Sequence, residues 1–582
     1  MAYSGSQHVI KLGQIGLISD VASDAMPDGS LIRCENTQFL RGIAEKADEI
    51  TDWVFGNPSY QTPQFTNEKP LGVHRYFPIP KTERQCVVTD AGNVYKFDSP
   101  FLRTLVTPDP LSIDTPSTLS LSGNPVIITG GNEVQGNPKK VFVFTGNSQV
   151  QVIEGDGAIR RNIKVPAADW TTPTDGKSVS YPTFGLIFRS KLFTFGNISN
   201  PHMVYGSDST DQENFNAITP GVLAIPCFPG EGEGIVSAFI YKTKLFVFKK
   251  PYGIYGLVDN DTDPNNWYFQ KVSSSFGIAS QMSFFEASDD FFVLSNDGTV
   301  MSMTAALRLG DIYSSNVLAA AYSAQFFRKT IRNQYLSNAF GCYLPKKKIG
   351  VFAFPSYTSI DGYCDSLIYI DLNGQSPRVS WHRYLNTSFT ACNYFKDAYG
   401  DDQFLFSKLK FSSKVYTTGC LATYFPHYTA NTPFRIQTSE SNLGVEANKD
   451  FDGFELIFES TSVYPVAVDV YVDSKYSESF LIQPFYGGAL GPALMTGGKF
   501  ANPIFTLDSS ASSGRGTRPK WNSLHARGQT ISFSIRDGNT INSPYTGPMN
   551  KDDGNGGTYP VRIAGIRVYY RVAGQDQKAQ SS

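Results

Sequence analysis

The chain has 582 residues, 41% of them hydrophobic and only 18% charged, with a formal net charge of −2. So much apolar material excludes a disordered chain, and the length calls for two or three folding units unless one repeat architecture absorbs most of it. The near-neutral balance excludes a protein that grips nucleic acid through an overall basic excess. With 43 Phe, 31 Tyr, 51 Gly and 34 Pro, the composition favours strands and turns. The seven cysteines (Cys34, Cys86, Cys227, Cys342, Cys364, Cys392 and Cys420) have no metal-site spacing and read as buried free thiols of a protein folding in a reducing compartment. The opening residues carry no charged segment followed by an apolar one, and no run of eighteen apolar residues occurs, so neither a secretory leader nor a spanning helix is expected.

In chain order, residues 1–70 hold short extended pieces, Gly13–Leu17 and Leu31–Arg33, among many turn residues, and are expected to form an N-terminal extended arm with the first strands. Residues 71–435 repeat one unit: an apolar strand, a polar or Gly-bearing turn, and a second strand of alternating character. It occurs at Cys86–Phe97, Val141–Ile153, Leu192–Gly196, Leu245–Phe248 with Gly253–Gly256, and Phe291–Met301, with looser copies from Gly350–Phe354 and Phe404–Phe406. The starts lie about fifty residues apart, the spacing of a four-stranded propeller blade. The turns Asp90-Ala-Gly-Asn93 and Asn296-Asp-Gly-Thr299 supply the residues that tight hairpins need at positive φ. A lone twisted sheet cannot bury both faces, whereas blades packed around an axis cover one another. The competing arrangement is a string of unrelated hairpins in sandwiches.

One helix is predicted, from Ser315 to about Arg332 within an insertion at 305–335, with a Ser-Ser-Asn start and Val317, Leu318, Tyr322 and Phe326 at helical spacing. Residues 436–582 change texture: Phe454–Phe458, Val466–Val472, Ile531–Ile535 and Ile563–Tyr570 alternate as sandwich strands do. Two Gly/Ser/Pro-rich stretches, 483–520 and 536–559, interrupt this β-rich C-terminal domain and read as long functional loops. The expected fold is all-β: a β-propeller, a C-terminal β-sandwich-like domain and one inserted helix.

Signatures of catalysis are missing: there is no His-Glu-x-x-His, no Gly-x-Ser-x-Gly and no dinucleotide fingerprint. Gly497-Gly-Lys-Phe500 lacks the upstream Gly and the Ser/Thr of a phosphate loop, and the six histidines never pair at ligand spacing, so no catalytic residue, cofactor or metal ligand is assigned. Asp259-Asn-Asp-Thr-Asp263 could wrap a calcium ion, but it lacks the Gly and distal Glu of an EF-hand loop, and a plain Asp-rich turn is the simpler account. Arg515, Arg518, Lys520, His525 and Arg527 crowd into a Gly/Ser-rich stretch, either as a solvated loop or as a contact for DNA phosphates or a membrane surface. Lys139-Lys140, Lys249-Lys250 and Lys346-Lys-Lys348 read as strand-edge or turn lysines that block edge-to-edge pairing.

Two regions carry a family resemblance. Pro27–Phe39 followed by Gly42–Lys46, and Phe184–Gly196 leading into His202–Phe215 with its Ser-Asp-x-x-Asp-x-x-x-Phe element, together resemble the tail nozzle or tail hub proteins of podophages, also called tubular tail or packaged-DNA stabilisation proteins. The resemblance runs over about residues 10–480, without the long inserted domains of larger nozzle proteins, and the C-terminal third matches nothing nameable. It implies a non-enzymatic subunit of the virion tail, made in the host cytoplasm, that forms a homo-oligomeric ring, usually of six copies. Such a ring closes and extends the DNA channel of the portal and head-to-tail adaptor proteins and docks tail fibres or spikes. Genomic DNA passes through it without sequence-specific binding. Under this implication the N-terminal arm, the inserted helix and the two loops become contact surfaces, and deleting residues 1–30 or 536–559 is expected to spare folding. The reading from another class is a carbohydrate-binding or glycan-cleaving propeller used in host-surface recognition, whose hydrolytic form needs paired carboxylates.

Overall fold

A computed structural model describes residues 6–18, 26–27, 29–40, 42–53, 64–99, 102–110, 118–131, 139–164, 181–216, 219–274, 277–287, 290–304, 329–373, 377–384, 386–397, 400–425, 434–458, 466–482, 522–537 and 562–573. Among them the strands form a seven-bladed β-propeller and a two-sheet sandwich. The innermost strands of the blades begin at Pro70, Leu121, Phe184, Gly234, Phe284, Phe340 and Thr387. Blades 1, 3 and 4 are four-stranded meanders, blade 2 gains a parallel edge strand at Thr107–Pro108, and blade 5 has three strands. Blade 6 runs from Phe340–Leu344 out to Arg378–Arg383, and blade 7 from Thr387–Lys396 to Val415–Phe425.

Each hairpin run singled out in the sequence falls on the second strand of a different blade. Those strands are covered on both faces, which is why they read as nearly unbroken apolar runs: Lys140–Gly146 and Lys191–Phe195 are buried at every position. Successive blades share cores all the way round. Cys86 and Val88 of blade 1 meet Ile127 and Val141 of blade 2, and Phe142, Phe193 and Val247 join blades 2, 3 and 4. Phe239 of blade 4 stacks on Phe291 of blade 5 with centroids 3.9 Å apart, and Phe285 packs 4.7 Å from Phe352 of blade 6. Gly350 is required here, because a Cβ at that position would lie 2.2 Å from the Phe285 ring. Val351 and Phe404 join blades 6 and 7, and Leu421 with Val87 returns the ring to blade 1.

The N-terminal region is not an arm. Glu49–Asp52 forms the outermost strand of blade 7, paired antiparallel with Val415–Phe425, so the two ends of the propeller are laced together by backbone hydrogen bonds. The described strands between residues 6 and 46 belong to the sandwich. In one sheet Ser6–Lys11 and Ile43–Lys46 pair with Arg562–Val572, next to Lys449–Phe458 and Asn522–Gly528. In the other, Ser30–Glu35 pairs with Arg435–Thr438, followed by Ile531–Asp537, Val466–Val472 and Lys475–Ile482. Ile10, Leu12, Leu17 and Leu31 are buried with Phe454, Leu456, Ile535 and Ile566 in the core between the sheets. The sandwich therefore comes from both ends of the chain, and removing residues 1–30 strips core residues instead of a free arm. The predicted helix, up to residue 328, and the stretches 483–520 and 538–559 lie outside the described residues.

Sandwich and propeller share one sheet. Arg378–Arg383 at the edge of blade 6 runs parallel beside Ser30–Glu35, with Glu35 opposite Trp381, giving a continuous ten-stranded sheet. Side chains lock this seam: Arg383 N donates to Asn36 Oδ1 (2.9 Å), Ser380 Oγ donates to Thr37 O, and Arg378 donates to Gly13 O (2.9 Å) while pairing with Asp371 (2.5 Å). His382 sits fully buried in the seam, donating Nε2–H to Thr37 O (3.0 Å) and stacking on Tyr369 at 4.8 Å. Burial pushes its imidazole down to about 4, against the backbone hydrogen bond to Thr37, which acts the other way.

The sign of the resulting pH dependence follows. A base whose folded-state pKa lies below its unfolded value stabilises the fold fully above about pH 6.5 and loses that contribution as the pH falls towards 4. At about pH 5 the unfolded state gains about 2 kcal/mol from His382 alone. Thermal unfolding should therefore occur at a lower temperature at about pH 5 than at about pH 7, and the difference should shrink in His382→Gln. An unchanged difference in the variant would mean that other groups control it.

Candidate functional site

Blades 1, 2, 5, 6 and 7 enclose a central shaft lined by His74, Asn124, Ser280, Gln281, Ser337, Thr390, Cys392 and Asn393 among apolar residues, with about 560 Å³ of atom-free space including the solvent at its mouth. No Asp or Glu is among the residues lining it. Side chains also cross it. Gln281 of blade 5 donates Nε2–H to Asn124 O of blade 2 (2.9 Å), and Asn124 donates Nδ2–H to Thr390 O of blade 7 (3.2 Å). Ser237 Oγ holds Gln281 through its carbonyl (3.0 Å), and Thr390 Oγ1 and Ser407 Oγ both donate to Pro70 O. These bars lie near the starts of the innermost strands. Deeper in, His74 Nε2 lies 2.8 Å from Thr129 Oγ1. The shaft is neutral, polar and braced, with no pair of carboxylates for acid–base work.

The Ser207–Phe215 element is a staple between blades 2 and 3. Ser207 Oγ accepts from Leu192 N (2.9 Å), Asp208 and Asp211 accept from backbone N–H groups two residues on, and Phe215 is fully buried. Gln212 accepts from Gly131 N (2.8 Å) and donates to Ser190 O (3.1 Å). Glu213, with a 0% exposed side chain, accepts from Lys140 Nζ (2.6 Å) and from Arg161 on both oxygens (2.6 and 2.7 Å). Burial alone would raise the Glu213 carboxyl, but hydrogen bonds from Arg161 and Lys140 outweigh it and hold it at about 2. The residues that carry the resemblance on this side are thus scaffold.

The sequence reading of two lysine pairs needs correcting. Lys140 is buried against Glu213, and buried Lys249 donates to Cys227 O (3.1 Å) and Phe228 O (2.8 Å), so neither guards an edge. Lys191 likewise donates to Ser207 O and Gly221 O, and Lys449 to Val445, Ala447 and Gln529 carbonyls. Burial lowers the pKa of Lys191, Lys249 and Lys449, and the carbonyls around each compensate the buried ammonium. The trace of this in the sequence is a lysine at the end of an apolar strand, as at Lys191 and Lys249.

At the Asp-rich turn the oxygens serve the turn itself. Asp261 accepts from Asp263 N (2.9 Å) and Asn266 Nδ2 (2.7 Å), Asp263 accepts from Asn265 N (3.0 Å), and Asp259 pairs with Arg189 at 2.5 Å. Asp297 accepts from Thr299 N (3.0 Å), which is hairpin chemistry. Of the five residues that crowd into the Gly/Ser-rich stretch, Arg515, Arg518 and Lys520 lie outside the described residues, and His525 is on strand Asn522–Gly528 with Nε2 3.1 Å from Ser523 Oγ. Arg527 is on a strand, Asn522–Gly528, where its 66% exposed side chain lies 3.7 Å from Asp450. It belongs to the solvent face of the first sandwich sheet, where Arg571 pairs with Asp452 (2.8 Å) and Arg567 with Glu455 (3.1 Å). The seven cysteines are free thiols, all buried except half-buried Cys392, and burial pushes Cys34 and Cys86 up to about 12, far from the reactive thiolate.

No family model and no curated protein matches the chain. Among solved structures it is similar to BBS1N in complex with ARL6DN, at 9% identity over 65% of this chain and 98% of that one, with a TM-score of 0.34. It is also similar to the exo-beta-1,3-galactanase Pc1,3Gal43A of Phanerochaete chrysosporium, at 10% identity over 89% and 100% of the two chains, with a TM-score of 0.26. Likeness at this level carries no functional argument, and the fold described above rests on the strand pairing.

Removing the Glu213 carboxylate should strand Lys140 in the blade 2–3 core. Glu213→Ala is expected to cost about 3–5 kcal/mol in denaturant unfolding. Arg527→Ala, an exposed pair member, should leave the unfolding midpoint unmoved. Equal behaviour of the two variants would remove Glu213 from its structural role.

Proposed function

We propose that the chain is a structural subunit of a podophage tail, a nozzle or hub protein that joins copies of itself into a ring beneath the portal and adaptor and offers outer surfaces to fibres or spikes. The observation that carries this reading is the axial shaft: it is crossed by the Asn124, Gln281 and Thr390 hydrogen bonds and lined by no carboxylate. Propellers that act on small substrates place converging polar and ionisable groups in a concave pocket. A barred, acid-free shaft supports surfaces that serve neighbours. It also bears on the route of DNA. Side chains and backbone of different blades meet across the shaft in hydrogen bonds, so we place the conduit of such a tail between copies, along their outer surfaces. The seam between propeller and sandwich supports the same role, since one continuous sheet gives a subunit that bears load as a single piece.

The resemblance in Pro27–Phe39 and His202–Phe215 supplies the particular assembly, and ring closure follows from heterologous contacts that close on rotation. Negative-stain imaging and mass measurement of the purified full chain, alone and with its adaptor, test it. Closed rings with rotational symmetry, usually sixfold, are expected. A stable monomer that cleaves or binds host polysaccharide would replace this reading with the carbohydrate-active one.

A further inference from the structure

Two of the seven cysteines stand on the innermost strands of neighbouring blades, Cys342 on Phe340–Leu344 of blade 6 and Cys392 on Thr387–Lys396 of blade 7. The two strands pack against each other, and Cys342 belongs to the cluster of Val351, Phe404 and Phe406 against which Cys392 is packed. There the Cys342 thiol lies within hydrogen-bonding reach of the Cys392 thiol. The other five cysteines have different neighbours. Cys364 donates to Asn338 O (3.2 Å) and Cys420 to Asp52 Oδ1 (3.2 Å), while Cys34 sits beside Thr37 and Cys227 beside Lys249. Cys86 is enclosed in the core shared by blades 1 and 2.

The paired thiols differ in exposure. Cys342 is buried, whereas Cys392 is half-buried and lines the central shaft, donating its S–H to Asn393 O (3.4 Å). The hydrogen bonds of Asn124 and Gln281 narrow the shaft, so a reagent of a few atoms reaches this sulfur more readily than a peptide disulfide does. Burial, and after it the neighbouring Cys342 thiol, raise the Cys392 thiol well above its ordinary pKa, which keeps thiolate scarce and the reaction slow. A slow reaction fits a bond that is set once.

We propose that Cys342 and Cys392 form a redox staple, in which hydrogen peroxide entering the shaft converts the two thiols into a disulfide that ties blade 6 to blade 7. Cys392 Sγ attacks one peroxide oxygen, the O–O bond breaks, and a sulfenic acid and one water form. Cys342 Sγ then attacks Cys392 Sγ, the S–O bond breaks, the S–S bond forms, and the hydroxyl leaves with the Cys342 proton as a second water. The two thiols lose two electrons, and one peroxide is reduced to two waters. The place of the bond gives it its effect. Blade 6 carries the strand that runs beside the sandwich, and blade 7 is closed by Glu49–Asp52. The loop closed by the disulfide, residues 342–392, contains the seam strand Arg378–Arg383, so the cross-link restrains the unfolded chain where propeller and sandwich meet. Nothing in this inference depends on the tail reading.

The test treats the full-length chain, fully reduced and then freed of reductant, with hydrogen peroxide in small molar excess. The thiol count of the denatured chain should fall by two from seven, and dithiothreitol should restore it. Non-reducing peptide mapping should show one cross-link, between Cys342 and Cys392 of the same chain. The oxidised chain should unfold at a higher temperature than the reduced one. Cys364→Ala, which removes the third thiol of the cluster, should still lose two thiols. Cys342→Ala should form no disulfide, and dimedone should trap a sulfenic acid on Cys392. Mapping of the unsubstituted chain decides the matter if a variant fails to fold. An unchanged thiol count, a cross-link that joins another pair or two chains, or a Cys392 oxidised past the sulfenic acid beside a free Cys342 overturns the proposal.

Discussion

Glu49–Asp52 pairs antiparallel with Val415–Phe425, and this short ladder joins the beginning of the propeller to its end. Blades that pack in a circle bury their flanks only when the circle closes, so the exposed flanks of blades 7 and 1 would otherwise face water. Here closure does more. The residues just before the ladder, 6–46, belong to the sandwich, and Ser30–Glu35 lies between Arg378–Arg383 of blade 6 and Arg435–Thr438. Opening the ring at blade 7 therefore strains the sandwich, and loosening the sandwich releases the outer strand of the ring. The contacts are as non-local as the chain allows, since Ser6–Lys11 pairs with residues near 570. The two bodies should unfold together, and folding must bring the chain ends together before either core is complete.

The parts of this architecture visible in the sequence are those whose burial is complete within one hairpin. Val141–Ile153 and Phe291–Met301 show an apolar run, a turn of fixed chemistry and a second run, because the leading strand of each hairpin is central to its blade. Outer strands left little trace: Leu102–Leu105 and Leu223–Pro226 are four residues long and partly exposed, so their composition resembles that of loops. The N-terminal strands were hidden for another reason. Leu12 and Leu31 carry the right apolar signal, but their backbone partners, Ala564 and Thr438, lie more than 400 residues away, and no local period shows that pairing. The same limit applied at the candidate site. Arg527 looked like part of a basic loop because strand Asn522–Gly528 is short and polar on alternate positions, its register visible only beside Lys449–Phe458. The shaft could not be foreseen either, since Asn124, Gln281 and Thr390 come from three blades.

Buried charge explains how thin, separate blades become stiff. Blade junctions leave carbonyls at strand ends without ladder partners, and leaving such groups dry and unpaired is costly. Lys191 and Lys249 each insert an ammonium between two of these oxygens, as a bound cation would, and Lys449 does the same in the sandwich. Lys140 and Arg161 meet Glu213 in place of carbonyls, which couples blade 2 to the long turn of blade 3. A buried pair of this kind adds little net stability over an apolar alternative, yet breaking it exposes a bare charge to a dry core. Its effect is to fix one geometry, which explains why a motif rich in Ser, Asp and Glu sits where no chemistry takes place.

A propeller fused to its sandwich through one sheet has few ways to move internally, so any conformational change in an assembly must fall between copies. That constraint gives the topological polarity of the two faces its weight. Copies related by a two-fold axis could turn unlike faces towards the same side and cancel the pattern. Copies in a cyclic ring cannot: rotation about a single axis carries the hairpins that join first to second blade strands to the same side of the ring. For a rigid subunit of this kind, polarity is set by the sense in which the innermost strands run, a property of topology that no single residue carries.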